Sequence, residues 1–284
     1  VPGLFHRKVG DIVVTAVSDG FLDASIDVLR NLPRDEIVRI LTENFRPARR
    51  TAVNAFLVYS AGRLALIDTG CGGYLTPTTG KLLANLKAAG VDPADIDTVL
   101  LTHVHPDHSG ALFDMTSGKL NFPNAELAMN ENEITHWFDD ARMAAGSERE
   151  KRLFFQAGRD QLAPYKSRWR PFKSGEVFPG VTAMPRPGHT PGHTTYMISS
   201  GSEQLLIWGD TIHVQELQTA HPEVCLDFDV DKELAIDSRR KVFDMVATDR
   251  LLFTGMHMHF PGLAHLVKAG SGYRVIPMAW EQTL

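Results

Sequence analysis

Three histidines and one aspartate fall within six positions of this chain, directly after an apolar segment. The segment Thr-Val-Leu-Leu is followed over residues 102–110 by Thr-His-Val-His-Pro-Asp-His-Ser-Gly. Alternate side chains of an extended segment share a face, so His103 and His105 can point to one side. Asp107 and His108 are adjacent and point in different directions. This spacing favours two metal ions over a solvated polar loop, the first ion held by His103 and His105 and the second by Asp107 and His108.

Other polar residues follow expected strand ends. The strand expected over 181–185 leads into Pro-Gly-His-Thr-Pro-Gly-His-Thr, where alternating proline and glycine restrain the loop. In this loop His189 is the natural third ligand of the first metal, and His193 either faces the substrate or supports the site as a catalytic residue. The strand expected over 63–68 ends at Asp68, which we expect to orient a ligand histidine rather than to bind metal.

Two further candidate ligands come late in the chain. The strand expected over 204–208 is followed by Asp210, where a metal-bridging carboxylate would stand. The strand expected over 250–254 leads to His257 and His259, which are two residues apart and could share a face. We choose His257 as the last ligand because it follows the strand end directly.

The remaining patterns indicate an α/β protein, because strands and helices alternate along the chain. Expected helices and turns follow from amphipathic periodicity and from glycine and proline positions. The further strands are expected over 9–18, 51–59, 98–102, 125–129, 194–199 and 272–277. The helices are expected over 34–44, 79–89, 131–143, 148–162 and 231–247. A turn is expected at Asp19-Gly20, followed by an irregular segment over 21–33.

Composition excludes few function classes. The chain has 284 residues and a formal net charge of −5, which argues against nucleic acid or an anionic membrane as the main partner. No apolar run approaches the roughly 20 residues that span a bilayer. Cys71 and Cys225 are expected to be free, buried thiols. The chain begins with Val1, so localisation stays open: cytoplasmic, or periplasmic or secreted if a signal peptide was removed.

The His-x-His-x-Asp-His motif after a strand resembles the signature of the metallo-β-lactamase superfamily. The resemblance implies a four-layer αββα sandwich that occupies 1–284 as a single domain. Residues 1–50 would form an N-terminal arm that serves as a lid, as the contact of a homodimer, as both, or as a surface extension packed on the domain. The resemblance also implies two divalent metal ions, most simply zinc. One would be held by His103, His105 and His189, the other by Asp107, His108 and His257, with Asp210 as the bridge.

A closer resemblance covers three short segments. Residues 51–55 (Thr-Ala-Val-Asn-Ala), 227–231 (Asp-Phe-Asp-Val-Asp) and 260–265 (Phe-Pro-Gly-Leu-Ala-His) look like those of the methyl parathion hydrolase group. These dizinc enzymes hydrolyse organophosphate triesters, and quorum-quenching lactonases are their neighbours. In that group aromatic side chains of the helices over the site line the pocket. The resemblance therefore implies pocket roles for Tyr74, Trp137 and Phe155, although each aromatic residue could equally be ordinary core. With His257 as the last ligand, His259 would line the pocket or support a ligand.

The expected chemistry is hydrolysis of a small molecule. Two ions about 3.5–4 Å apart can share a hydroxide, which attacks a carbonyl or a phosphorus atom. Asp107 would be both a ligand and a catalytic proton carrier. The favoured substrates are lactones or esters, with organophosphate triesters as a side activity. A dedicated organophosphate hydrolase, a β-lactamase, a mononuclear iron dioxygenase and a metal-binding protein without hydrolytic activity are the alternatives.

Overall fold

Strands rich in apolar residues build two mixed β-sheets that pack face to face, and the central strands are buried on both faces. In the computed structural model, residues 3–46 and 49–280 are described. Each main sheet has seven strands within these ranges. The strands are β1 (Leu4–Val9), β2 (Ile12–Ala24), β3 (Leu29–Arg30), β4 (Arg49–Ser60), β5 (Arg63–Ile67), β6 (Thr98–Leu100), β7 (Phe113–Asp114), β8 (Lys119–Leu120), β9 (Glu126–Asn130), β10 (Trp169–Phe172), β11 (Gly175–Phe178), β12 (Val181–Pro185), β13 (Thr194–Ser200), β14 (Glu203–Ile207), β15 (Cys225–Leu226), β16 (Leu252–Thr254), β17 (Ala264–Ala269) and β18 (Gly272–Pro277).

The helices lie mostly between strands or after them. They are α1 (Arg34–Glu43), α2 (Leu82–Ala88), α3 (Pro106–Ser109), α4 (Glu131–Trp137), α5 (Asp140–Ala145), α6 (Glu148–Glu150), α7 (Ala157–Leu162), α8 (Gln215–Gln218) and α9 (Lys232–Thr248). A π-helical turn, Lys151–Gln156, joins α6 to α7. Short 3₁₀ turns cover Ile26–Val28, Pro93–Asp95, Ala163–Arg168 and Gly209–Thr211. No helix in the described parts of the chain is both long and apolar enough to cross a bilayer.

The predicted four-layer α/β sandwich is confirmed. The first sheet has the order β1-β2-β4-β5-β6-β9-β10, and the second has the order β11-β12-β13-β14-β16-β17-β18. Side chains of both sheets, such as Val14 and Ile198, share one buried cluster between them. The outer face of the first sheet is covered by α2, α4 and α7, which contribute Leu86, Trp137 and Leu162. The helix α9 covers the other sheet.

The start of the chain differs from the prediction. The turn expected at Asp19-Gly20 is wrong, because β2 continues to Ala24 and pairs with β4 past a register shift between Ser18 and Gly20. The buried Asp19 carboxylate instead accepts backbone N–H groups of Cys71, Gly80 and Leu82. The segment expected to be irregular contains the end of β2, a 3₁₀ turn and β3. The first half of the expected arm, which forms β1 and β2, is therefore built into the first sheet, and the role of the arm as a lid or dimer contact stays a prediction.

Several element boundaries also differ. The helix expected over 131–143 is two helices, because Asp139 caps the start of α5 by accepting the N–H groups of Ala141 and Arg142. The helix expected over 148–162 is continuous but includes the π-helical turn. Strands β1, β10, β11 and β17 of the two main sheets were not predicted. The segments of β10 and β11 are short and contain a charged residue together with proline or glycine. Both cysteines are free and buried, as predicted.

Candidate metal centre

Three histidine nitrogens converge at the end of β6. His105 Nδ1 lies 3.0 Å from His103 Nε2 and 3.1 Å from His189 Nε2. All three side chains are buried. A tetrahedral zinc ion with bonds of 2.0–2.1 Å would hold its nitrogen ligands roughly 3.3 Å apart. These are the three residues that we predicted for the first metal, and their donor atoms face one point.

The second predicted set is also brought together. Its residues are Asp107, His108 and His257, which form a second group of possible metal donors. The Asp107 carboxylate oxygen Oδ2 lies 3.7 Å from His108 Nε2 and 3.5 Å from His257 Nε2. Pro106 begins the short helix α3, which contains Asp107 and His108 and turns their side chains to a different point from that of His103 and His105.

Asp210 stands between the two sets. Its oxygen Oδ2 is 3.7 Å from His103 Nε2 and 3.4 Å from His189 Nε2 on the first side. On the second side it is 3.2 Å from both His108 Nε2 and His257 Nε2. The carboxylate follows β14 on a 3₁₀ turn, where Asp210 itself has non-helical φ and ψ angles. Asp210 therefore lies where a bridging carboxylate was expected, and its role as a bridge stays a prediction.

Hydrogen bonds behind the histidines aim their free nitrogens inward. His108 Nδ1 lies 2.7 Å from Asp68, His189 Nδ1 lies 2.7 Å from Asp229, and His257 Nδ1 lies 2.8 Å from the carbonyl oxygen of Ala52. Each of these contacts occupies Nδ1 and leaves Nε2 directed at the cluster. Asp68 therefore orients a histidine, as we expected.

The donor set fits divalent metal ions. His108 Nε2 and Asp210 Oδ1 are buried and have no hydrogen-bond partner in the described residues. Buried polar atoms without partners are costly, and a cation at this point would satisfy both. Imidazole and carboxylate donors suit zinc and similar ions. The types of donor atom in this cluster, and the two that have no partner, therefore indicate a site for divalent metal ions.

The donor histidines fall into two groups by their pKa values. Burial and then the charge of His108 lower the pKa of His103, and burial and then His189 lower the pKa of His105, so both imidazoles are neutral. Burial alone would raise the pKa of Asp210, but the histidines around it, His108 first, hold that pKa well below its usual range. Burial alone would lower the pKa of His108, His189 and His257, but Asp210 raises all three, that of His189 to about 9. Metal binding needs neutral imidazole and ionised carboxylate, so an ion would displace the protons of these three histidines.

A buried glutamate that the sequence analysis missed connects two loops of the site. The Glu133 carboxylate accepts the backbone N–H groups of Val104 and Gly192 at 2.8 and 2.7 Å. Val104 lies between His103 and His105, and Gly192 lies in the loop that carries His189. The two loops that supply the first donor set are therefore held by one side chain on α4. No motif distinguishes this glutamate in the sequence.

The predicted catalytic role of His193 does not fit its surroundings. His193 Nε2 accepts the backbone N–H of Asp210 at 2.9 Å, and Nδ1 lies 3.0 Å from the carbonyl oxygen of Arg186. Burial first, and then the charge of His189, lower the pKa of His193 to about 3. Gly209, at φ +57°, lets the backbone approach this ring closely. His193 is a neutral positioning residue behind Asp210, which corrects our assignment.

A cavity of about 290 Å³ opens onto the metal donors. Its polar floor includes His105, Asp107, Asp210 and His257. His213 also lines it, and its Nε2 lies 2.9 Å from Asp210 Oδ2. The sequence offered only the closeness of His213 to Asp210 as a signal, and we assigned it no role. Aromatic and apolar walls come from Leu22, Tyr74, Leu75, Leu153, Phe154 and Phe228.

Three of the four predicted pocket residues lie elsewhere. Trp137 is 2 % exposed and donates its indole N–H to Glu133, so it packs in the core behind His105. Phe155 is buried against Trp137, with ring centroids 5.0 Å apart. His259 Nε2 lies 2.7 Å from Glu216 and faces a different cavity. Tyr74 does line the cavity, and the structure brings His257 rather than His259 to the metal donors.

Solved structures with the same fold resemble the whole chain. The structure of the hydrolase AbOPH, described as a member of the beta lactamase superfamily, is 31% identical over 99% of both chains, with a TM-score of 0.92. AidC, described as a dizinc quorum-quenching lactonase in complex with the product N-hexanoyl-L-homoserine, is 29% identical over 99% of both chains, with a TM-score of 0.92.

Relatives found by sequence match shorter stretches. The N-acyl homoserine lactonase AttM of Azorhizobium caulinodans is 30% identical over 118 residues, which is 41% of this chain and 41% of that protein. The chain thus spans less than half the length of this relative. A model of the metallo-beta-lactamase superfamily matches residues 48–255, which include every candidate metal donor except His257. The chain therefore belongs to the metallo-beta-lactamase superfamily.

Proposed function

We propose that this protein is a dinuclear-metal hydrolase that opens lactones or cleaves esters of small molecules. The observation that carries the proposal is the pair of three-residue donor sets joined by Asp210 at the floor of one cavity. The first ion would be held by His103, His105 and His189, and the second by Asp107, His108 and His257. When bound, the ions, most simply zinc, would supply an activated water nucleophile and polarise the electrophile.

The protein side chains would divide the remaining tasks. Asp107 has 17 % of its side chain exposed and faces the cavity, whereas Asp210 has 2 % exposed. Asp107 is therefore the carboxylate that can carry a proton to a leaving oxygen atom. His213 lies in the cavity wall beside Asp210 and can contact a substrate oxygen there. The rings of Phe154 and Phe228, with centroids 6.3 Å apart, form an apolar wall for the rest of the substrate.

The similarity to AidC supports a lactone as substrate. AidC is described as a lactonase, and its fold covers nearly all of this chain. The apolar wall is also suited to an aryl leaving group, so organophosphate triesters remain a proposed side activity. A homodimer also remains a proposal, with residues 1–50 as the contact.

The test is a substrate panel on purified protein whose metal content is measured in the same sample. The panel contains γ- and δ-lactones, an aryl ester, an organophosphate triester and a β-lactam. We expect two metal ions per chain and the highest kcat/KM for a lactone or ester. Asp210→Ala should abolish hydrolysis while circular dichroism shows a retained fold. Turnover retained in Asp210→Ala, or one iron per chain with no hydrolysis of the panel, would contradict the proposal.

A further inference from the structure

A buried arginine in the cavity wall is not accounted for by the metal centre. Arg49 begins β4, is 8 % exposed and lines the cavity beside the metal donors. Its Nε donates to the carbonyl oxygen of Ser25 at 3.0 Å. Across residues 3–46 and 49–280, no carboxylate lies within ion-pairing distance of its guanidinium group. A buried charge normally has such a partner, because removing it from water is costly.

The next residue on the strand provides a contrast. The Arg50 side chain is 44 % exposed, and two hydrogen bonds of 2.7 and 2.6 Å join it to the Asp23 carboxylate. The exposed arginine is thus paired, whereas the buried one is not. Arginine at a buried site is suited to binding carboxylates through two parallel N–H donors.

Neighbouring charges do not replace the missing partner. Asp107 attracts Arg49 without forming an ion pair, and Asp107 is already placed among the metal donors. Arg149, at the exposed rim of the same cavity, adds a second positive charge. Burial, as the largest cause, lowers the pKa of Arg49 to about 10, so the group is still charged at neutral pH. The guanidinium group of Arg49 is therefore available to pair with an anionic group of a molecule that enters the cavity.

We propose that Arg49 binds a carboxylate that the substrate carries at a distance from the bond that is cut, so that anionic esters or lactones are preferred over neutral ones. The inference rests on the proposed hydrolase function and names a substrate class for the same site. The substrate would place its carboxylate against Arg49 on the β4 side and its apolar part against Phe154 and Phe228. Arg149 would attract the anion towards the rim.

The experiment compares two aryl esters that differ only in charge. The metal-loaded enzyme is assayed with 4-nitrophenyl hydrogen glutarate, which carries a free carboxylate, and with its neutral methyl ester. A charge-assisted hydrogen bond predicts a kcat/KM roughly 10- to 100-fold higher for the anionic ester, mainly through a lower KM. In Arg49→Met the ratio of the two kcat/KM values should fall to near one, and in Arg49→Lys it should fall only in part.

Arg63→Met is the matched control, since it removes one charge from the exposed start of β5 outside the cavity. The ratio of the two kcat/KM values in Arg63→Met should equal that of the unmodified enzyme.

Equal kcat/KM values for the two esters in the unmodified enzyme would overturn the inference and leave the hydrolase proposal intact. An unchanged ratio in Arg49→Met would also overturn it. Failure to hydrolyse either ester or any lactone would instead contradict the hydrolase proposal. If Arg49→Met does not fold, the unmodified enzyme and Arg49→Lys still decide the matter.

Discussion

At the scale of single residues, three of the candidate histidine ligands are held by a hydrogen-bond partner behind the ring. Asp229 is an example: it is 3 % exposed, and its two oxygens contact His189 Nδ1 and the backbone N–H of Leu226. The histidine is therefore fixed in both tautomer and ring orientation. His108 and His257 are held by different acceptors, a carboxylate and a backbone carbonyl. Metal affinity in such sites depends on these partners as well as on the ligands.

We predict that Asp229→Asn lowers the affinity for the first metal ion by roughly 10- to 100-fold. The amide is a weaker acceptor and can present an N–H to the ring, so His189 would lose its fixed orientation. The measurement is a competition titration with a metal-binding dye. Asp227→Asn is the control, because Asp227 is two residues away and pairs with Arg30 at the surface. An affinity that is unchanged in Asp229→Asn would show that this contact does not position the ligand.

At the scale of elements, the helical segment of residues 148–162 separates core from cavity. Its π-helical turn carries Phe154 and Phe155. The Phe154 ring lies 4.6 Å from that of His105 and lines the cavity, whereas Phe155 packs on Trp137 in the core. Adjacent positions on a helix point in different directions, and here only one of the two neighbouring aromatics faces the site.

Phe154→Ala and Phe155→Ala should therefore have different effects. The first should lower kcat/KM for a bulky aryl ester by roughly tenfold more than for a small ester, because it removes the apolar wall. The second should reduce the free energy of unfolding by about 3–5 kcal/mol and affect both esters equally. Steady-state kinetics and denaturant unfolding measure the two effects. Selective loss of the bulky ester in Phe155→Ala would show that our original assignment of the pocket was right.

At the scale of the whole molecule, the early part of the chain packs on the later half. Leu29, Ile37 and Leu41 share a buried cluster with Val224 and Leu226, among others. An ionic contact reinforces this packing: the Glu216 carboxylate on α8 accepts from Arg46 Nε at 2.6 Å and lies 2.7 Å from His259 Nε2. This contact joins residues after α1 to the segment that follows the last metal donor.

The Glu216 contact predicts a specific pH dependence of stability. Burial alone would raise the pKa of Glu216, but His259 and Arg46 lower it to about 2. An unfolded glutamate titrates near 4.3, so the folded state binds fewer protons than the unfolded state between these values. The stabilisation is then complete above about pH 5 and is lost as the pH falls towards about 2.

Glu216→Gln should consequently reduce the free energy of unfolding by about 1–3 kcal/mol at pH 6, and the difference should shrink as the pH is lowered towards 3. Urea unfolding of the metal-free proteins at several pH values measures it, because metal release at low pH then plays no part. Glu203→Gln, at an exposed strand start, is the control. If the free energies of unfolding of Glu216→Gln and the unmodified protein differ by the same amount at every pH, the proposed linkage to the pKa of Glu216 is excluded.

The sequence alone determined the candidate metal donors and the fold class. The His-x-His-x-Asp-His motif is local, and the order of strands and loops places His189, Asp210 and His257 after strand ends. Alternation of apolar residues likewise indicated most strands of the two sheets. These features depend on spacing along the chain, which is visible without coordinates.

Only the tertiary structure decided the surroundings of the donors. Glu133, Arg49 and Asp229 reach the site from three separate parts of the chain. Asp229 lies in one of the segments of the closer resemblance, but nothing in the local sequence of the three residues shows what they contact. The roles of Phe154 and Phe155 depended on the rotation of one helical segment about its axis. A shift of one residue would exchange the ring that faces the cavity with the ring that packs in the core. Metal donors follow from local chain geometry, whereas partners and cavity walls depend on which distant side chains pack together. Long-range packing therefore decided the walls and the orienting hydrogen bonds of this site.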